Sequence, residues 1–389
     1  MYLWNKKQIL RSRLYILIPV VLGFIVSAAW AQQTPADASK GATPSSATAT
    51  PALAPDQQTP KIPKPAPAID PLTGIPLYET IQEDWSSLQI GVSQLKPEPP
   101  LVGEVDDSQA KFTRTLVSVK WRPGDAIDLW VIVPKGVKKA PAALYLYNFT
   151  EELTRFRSND WCARVTSGGV AAIGFTSALS GPRFHDRPMK QWFVSELQES
   201  IGSTVHDVHF ILDYLAQRGD IDMDHVGMFG EGSGGAIAIL AAAADPRIKA
   251  VDALDPWGDW PDFLAESAMV QEDPHHADYV KPEFLKQVAP LDPVKWLPQL
   301  KVPIRIQQVH QNDAVPDKCK DAIKAAAPKQ AEVDRFEAAN TLAMHESGGR
   351  VFDWIKAQLQ PPPVKPGTEN KTAVLQQGSA VQNASPAHP

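Results

Sequence analysis

An α/β architecture, a mostly parallel sheet flanked by helices, is predicted by three features of the sequence. From about residue 115 to residue 360, short runs of branched and aromatic residues alternate with helix-like segments. The first two runs are joined by Pro123-Gly124-Asp125, a turn that makes them an N-terminal hairpin. Residues 226–236 read V-G-M-F-G-E-G-S-G-G-A, an apolar strand that passes through a glycine-rich turn into an alanine-rich helix.

Taken in order, residues 115–121 and 127–133 are the hairpin strands, and Pro134 closes the second because it has no N–H to extend a ladder. Residues 142–147 read as a buried-type strand, 151–167 as a helix, Gly168-Gly169 as its stop, and 170–175 as another strand. Within 200–219, Val205, Val208, Leu212 and Leu215 recur at three- and four-residue spacing, which gives an amphipathic helix ending at Gly219. The strand of 226–229, a helix over 234–244 and a strand over 248–254 follow. Residues 255 to about 300 carry Trp257, Trp260, Trp296 and several prolines without a strand period, and read as an insertion after the sixth strand. Strands over 303–309 and 333–336 and helices over 318–326 and 351–359 complete the pattern.

The ends of the chain differ from this domain. Lys6, Lys7, Arg11 and Arg13 precede an apolar run over 14–29 and then Ala29-Trp30-Ala31, so residues 1–31 are read as a signal peptide with an A-x-A cleavage site. The apolar run is short for a membrane span and contains Pro19 and Gly23, so no stable span is expected after cleavage. The expected location is therefore exported, either periplasmic or secreted. Residues 32–68 and 361–389 are rich in Pro, Ala, Thr, Ser and Gln and hold too little apolar surface to offset ordering entropy, so they read as a disordered linker and tail. Between them, residues 69–360 form the predicted domain.

A formal net charge of −6 and the lack of a basic stripe argue against a nucleic-acid partner, and small or neutral ligands fit better. Cys162 and Cys319 are the two cysteines; an exported chain permits a disulfide, but nothing local brings them together, and they read as separate buried thiols. His206 and His209 share a helix face but lack an accompanying carboxylate motif, and His275-His276 reads as a solvated loop, so no metal is expected. No cofactor is expected either. Asn148-Phe149-Thr150, Asn370-Lys371-Thr372 and Asn383-Ala384-Ser385 match the glycosylation sequon.

The glycine-rich turn carries the chemistry. A nucleophile elbow, G-x-S-x-G, sets its central side chain on a sharp strand-to-helix turn and needs small residues two positions to either side. Two registers fit. In one, Gly230 and Gly234 flank the slot and Gly232 occupies it, which relaxes the turn and deletes the hydroxyl. In the other, Ser233 is the nucleophile, Gly235 is the later small residue, and Glu231 must fit the earlier crowded position. Sterics favour the first.

The strand order and this turn resemble the α/β-hydrolase superfamily over residues 116–360, most nearly its dienelactone-hydrolase and prolyl-oligopeptidase-like branches. In that superfamily the triad runs nucleophile, acid, histidine along the chain. V-H-Q-N-D-A-V-P over 309–316 resembles the acid loop, shorter by a residue and without its glycine, so the resemblance implies Asp313 as the acid. Met344-His345-Glu346 before the closing helix is similar to the histidine loop and implies His345 as the base. Asp255, after the sixth strand, is the second candidate acid. The oxyanion hole would take one N–H from Ser233 or Gly234, according to register, and one from Phe149, where Tyr147-Asn148-Phe149-Thr150 stands in place of H-G.

Two functions follow. One is an exported hydrolase of carboxylic-ester or peptide-like acyl bonds, with Ser233 as a displaced nucleophile, His345 as base, Asp313 as acid, and Trp257 and Trp260 shaping the substrate pocket. The other is a catalytically degenerate homologue that binds or scaffolds.

Overall fold

The computed structural model describes residues 83–360 apart from 92, 124, 149–154, 180–182, 184–192, 311, 338–341, 343–344 and 346–347. The signal peptide, linker and tail, together with Phe149, Asn370 and Asn383, thus lie outside the described residues. No described helix is long and apolar enough to cross a membrane.

The described strands form one nine-stranded sheet in the order β1-β2-β3-β5-β4-β6-β7-β8-β9. These are β1 Leu101–Asp106, β2 Phe112–Arg122, β3 Asp125–Pro134, β4 Ala140–Leu146, β5 Ala171–Gly174, β6 Ile221–Glu231, β7 Ile248–Leu254, β8 Ile304–Val309 and β9 Glu332–Phe336. Pairing from β5 through β4 to β9 is parallel, and β1, β2 and β3 add an antiparallel edge. The hairpin and the parallel units stand as the sequence predicts. Strand β1 is the addition: its pattern is exposed almost throughout, so no apolar alternation marks it, and its evidence is the ladder it makes with β2. The turn strand is consequently the sixth, and the insertion follows the seventh.

Alternation along the central strands sorts two cores. Ala142, Leu144 and Leu146 of β4 and Val226 and Met228 of β6 face the side covered by α2 (Leu197–Arg218) and α3 (Ser233–Ala244). Ala143, Tyr145 and Tyr147, with Phe229, face an aromatic cluster that includes Phe156, Trp161 and Phe352. Helices α1 (Asn159–Val165) and α5 (Asp353–Leu359) cover that side, while α4 (Asp317–Ala326) packs beside the insertion.

Of the helix predicted over 151–167, residues 151–154 lie outside the described residues, Arg155–Arg157 form a 3-10 turn, and α1 begins at Asn159, where the Ser158 side chain accepts the Trp161 N–H and caps it. Helix α2 ends as predicted, with Gly219 in the left-handed region at φ +78°. The insertion is a set of short helices, Trp260–Glu266, Ala268–Gln271, His276–Tyr279, Pro282–Val288 and Pro293–Trp296. Cys162 and Cys319 are both free and buried.

Candidate functional site

The turn between β6 and α3 sits at the carboxyl end of the sheet, where the parallel strands β7, β8 and β9 also end. In an open α/β sheet the loops at that end form the ligand crevice. The turn adopts the first register. Gly232 holds φ +56° and ψ −115°, a conformation strained for any residue with a side chain. A methyl group on Gly230 would lie 2.1 Å from Gly234 O, and one on Gly234 would lie 2.0 Å from Leu146 O. The two flanking glycines are thus demanded by backbone contact, which places Gly232 in the slot.

A side chain at that slot would meet neighbours at once. A Cβ on Gly232 would stand 3.0 Å from Cγ and Oδ1 of Asn148 and 3.2 Å from Nε1 of Trp257. The backbone around the slot is fully engaged: Gly232 N–H donates to Leu254 O at 2.8 Å, and Gly232 O accepts from Trp257 N at 3.1 Å and Ala236 N at 3.1 Å. These bonds tie the end of β7 and the start of the insertion to the turn.

Ser233 is the first residue of α3 and is 0% exposed. Its hydroxyl donates to Asn148 Oδ1 at 3.1 Å. Gly234 packs its Cα against β4, and Phe149 lies outside the described residues. Trp257 is buried against the turn and lies 5.0 Å from Phe263, ring to ring. Trp260 is equally buried, packs edge-on against Phe263 at 5.7 Å and donates its indole N–H to Leu291 O at 3.0 Å.

Asp313 is exposed at the end of the β8 loop and lines an open, polar cleft of about 410 Å³ with Glu266, Gln271, Asn312, Asp317 and Lys320. Its carbonyl accepts the Ala268 N–H at 3.1 Å. His345 is half-buried beyond β9, and its ring packs on Phe336 at 5.2 Å. The structure therefore brings Gly232, Ser233, Asn148 and Trp257 together. Among the described residues no hydrogen bond or ion pair joins Ser233, Asp313 and His345 to one another.

Asp255 is the more constrained of the two candidate acids. It is a non-glycine residue at φ +40°, and its carboxylate accepts from Val309 N at 2.8 Å and from Asn312 Nδ2 at 2.8 Å. Burial pushes its pKa above the usual carboxylate range, against the lowering effect of those two bonds. Backbone strain of this kind is held where the surroundings over-determine it, and here it couples the β7 and β8 loops beside the slot. Asn148 is the residue that sequence reasoning passed over as a site member; its place after β4, at the sequon, was visible, but its approach to the slot was not.

No family's sequence model matches this chain, and no curated protein matches it. Solved structures do. An acetyl xylan esterase from Paenibacillus sp. R4 superposes with a TM-score of 0.56 at 17% identity, covering 67% of this chain and 89% of that one. An S-formylglutathione hydrolase from Agrobacterium tumefaciens superposes with a TM-score of 0.50 at 15% identity, covering 67% and 99%. The chain has the α/β-hydrolase fold.

Proposed function

We propose that this protein is an exported, catalytically degenerate α/β-hydrolase homologue that binds a small neutral or acyl-bearing ligand at the carboxyl end of its sheet without forming a covalent intermediate. One observation carries the reading: the residue at the tip of the elbow is Gly232, at φ +56° and ψ −115°, so the position that would present a nucleophile has no side chain. The burial of Ser233 and its bond to Asn148 support the same view, because a nucleophilic hydroxyl must reach both a base and the substrate. Export rests on the signal-peptide layout of residues 1–31, and the domain limits on the composition of residues 32–68 and 361–389.

A second reading keeps ester or peptide-bond hydrolysis, with Ser233 as displaced nucleophile, His345 as base, Asp313 as acid and Trp257 and Trp260 at the pocket. It is favoured by the placement of Asp313 and His345 beyond β8 and β9, at the sheet end that also carries the elbow. It requires Ser233 to leave Asn148 and gain access to solvent.

Labelling of the mature protein with a fluorophosphonate separates the two. The expected result is no labelling of the wild type and no change in Ser233→Ala. Labelling of the wild type that disappears in Ser233→Ala overturns the binding proposal and establishes the displaced nucleophile. Gly232→Ser combined with Asn148→Ala, which vacates the space the new side chain needs, asks in addition whether the remaining groups still activate a hydroxyl.

A further inference from the structure

Ahead of the sheet, residues 83–90 cross the outer face of α2 as a strap. The approach is close: a methyl on Gly202 of α2 would lie 2.3 Å from Trp85 O. Two histidines one turn apart on α2 fasten it. His206 places Nδ1 2.6 Å from Glu83 Oε1 and Nε2 2.9 Å from Ser87 O. His209 places Nδ1 2.8 Å from Asp245 Oδ2 and Nε2 3.2 Å from Leu88 O. Carboxylates and carbonyls only accept hydrogen bonds, so each ring must donate from both nitrogens, which a neutral imidazole cannot do.

Charge balance around His206 leads to the same result independently. Glu83 of the strap, Asp125 of the hairpin and Asp207 of α2 supply three buried carboxylates. Arg122 of β2 grips Glu83 with bonds of 2.7 and 2.6 Å, bonds Asp207, and lies 3.5 Å from Asp125. Arg183, beyond β5, holds Asp125 at 3.0 and 2.7 Å and pairs with Asp207 at 2.8 Å. Among the described residues the two guanidiniums leave one negative charge over, which an imidazolium at His206 would cancel. Around His209 the charged neighbours are Asp245 and Arg247, which pairs with both Asp245 and Asp213.

We propose that His206 and His209 form a pH-sensitive latch: as imidazolium cations they bind the strap of residues 83–90 to α2, and loss of their protons releases it. Deprotonation leaves a lone pair facing a carboxylate or a carbonyl in each case, and at His206 it also leaves a buried charge uncompensated. Burial raises the Glu83 pKa, but the bonds from Arg122 and His206 outweigh it and bring it down to about 2, so Glu83 is ionised at neutral pH.

Amide exchange over residues 84–90 of the full mature chain, corrected for intrinsic rates, tests this from about pH 5.5 to about pH 8.5. Protection is expected to fall as pH rises, by up to about tenfold per pH unit for each proton released. In His206→Gln/His209→Gln the strap is expected to exchange rapidly already at the acid end, with no such pH dependence. Constant protection in the wild type, or a wild-type pH profile in the double variant, overturns the latch. Should the double variant fail to fold, ¹⁵N spectra of the wild-type histidines remain decisive: both ring nitrogens protonated at the acid end are expected, and a single neutral tautomer there overturns the proposal.

Discussion

Gly234→Ala is expected to destabilise the domain by more than about 4 kcal/mol, enough to leave little folded protein. The added methyl would sit 2.0 Å from Leu146 O and 2.7 Å from Leu146 C, main-chain atoms of the central strand β4. Neither side can yield: β4 is hydrogen-bonded to β5 and β6 on its two edges, and α3 is packed on β7. A flexible side chain could rotate away from such a contact, but a laddered backbone cannot. Gly230→Ala meets Gly234 O at 2.1 Å and should behave alike. Gly219→Ala is the control, since that glycine has positive φ but open space around it, and about 1 kcal/mol is expected. Urea midpoints measured at constant m value give the comparison. A Gly234→Ala variant within 1 kcal/mol or so of wild type would refute the steric reading of the elbow and reopen its register.

The second large effect concerns the buried charges. Asp207 is fully buried between Arg122 and Arg183 and also accepts the Trp121 indole N–H at 2.7 Å. Asp207→Ala takes one carboxylate from each of two buried guanidiniums, which keep Glu83 and Asp125, and leaves a positive charge in surplus, so a loss of about 3–5 kcal/mol is expected. Glu83 adds a pH signature. Burial raises its pKa, but the bonds from Arg122 and His206 outweigh burial and bring it down from 4.5 to about 2. Its folded-state value is therefore depressed. The stability it contributes is fully present above the unfolded value of 4.5 and is lost as pH falls toward about 2. Between those limits the wild type should lose up to about 3 kcal/mol more than Glu83→Gln, read from urea midpoints taken at successive pH values. Parallel acid profiles in the two proteins would show that Glu83 is not held in this way.

Much of this was legible along the chain, for reasons that are local. The hairpin, β7 and the span of α2 follow from side-chain period and from Pro and Gly at their ends, which act within a few residues. The elbow register followed from the same kind of argument, because two flanking glycines four apart state a backbone contact that only glycine allows. Where expectation and structure part, a distant partner is responsible. Strand β1 exists through its pairing with β2 and buries almost nothing of its own. The bond from Trp260 to Leu291 likewise joins residues that no local pattern pairs.

The site divides along the same line. That position 232 is glycine, and so carries no hydroxyl, is a property of the sequence alone, and with it the doubt about covalent catalysis. That Asn148 and Trp257 crowd the slot, that Ser233 is sealed against Asn148, and that Glu83, Arg122, Asp125, Arg183, His206 and Asp207 meet in one cluster required the folded chain. Those contacts join residues 85 and 123 positions apart, for Ser233 with Asn148 and Glu83 with His206. Periodicity and capping describe the energy of a residue among its near neighbours. Burial of a charge or the filling of a slot depends on which remote groups arrive beside it, and no local pattern encodes that.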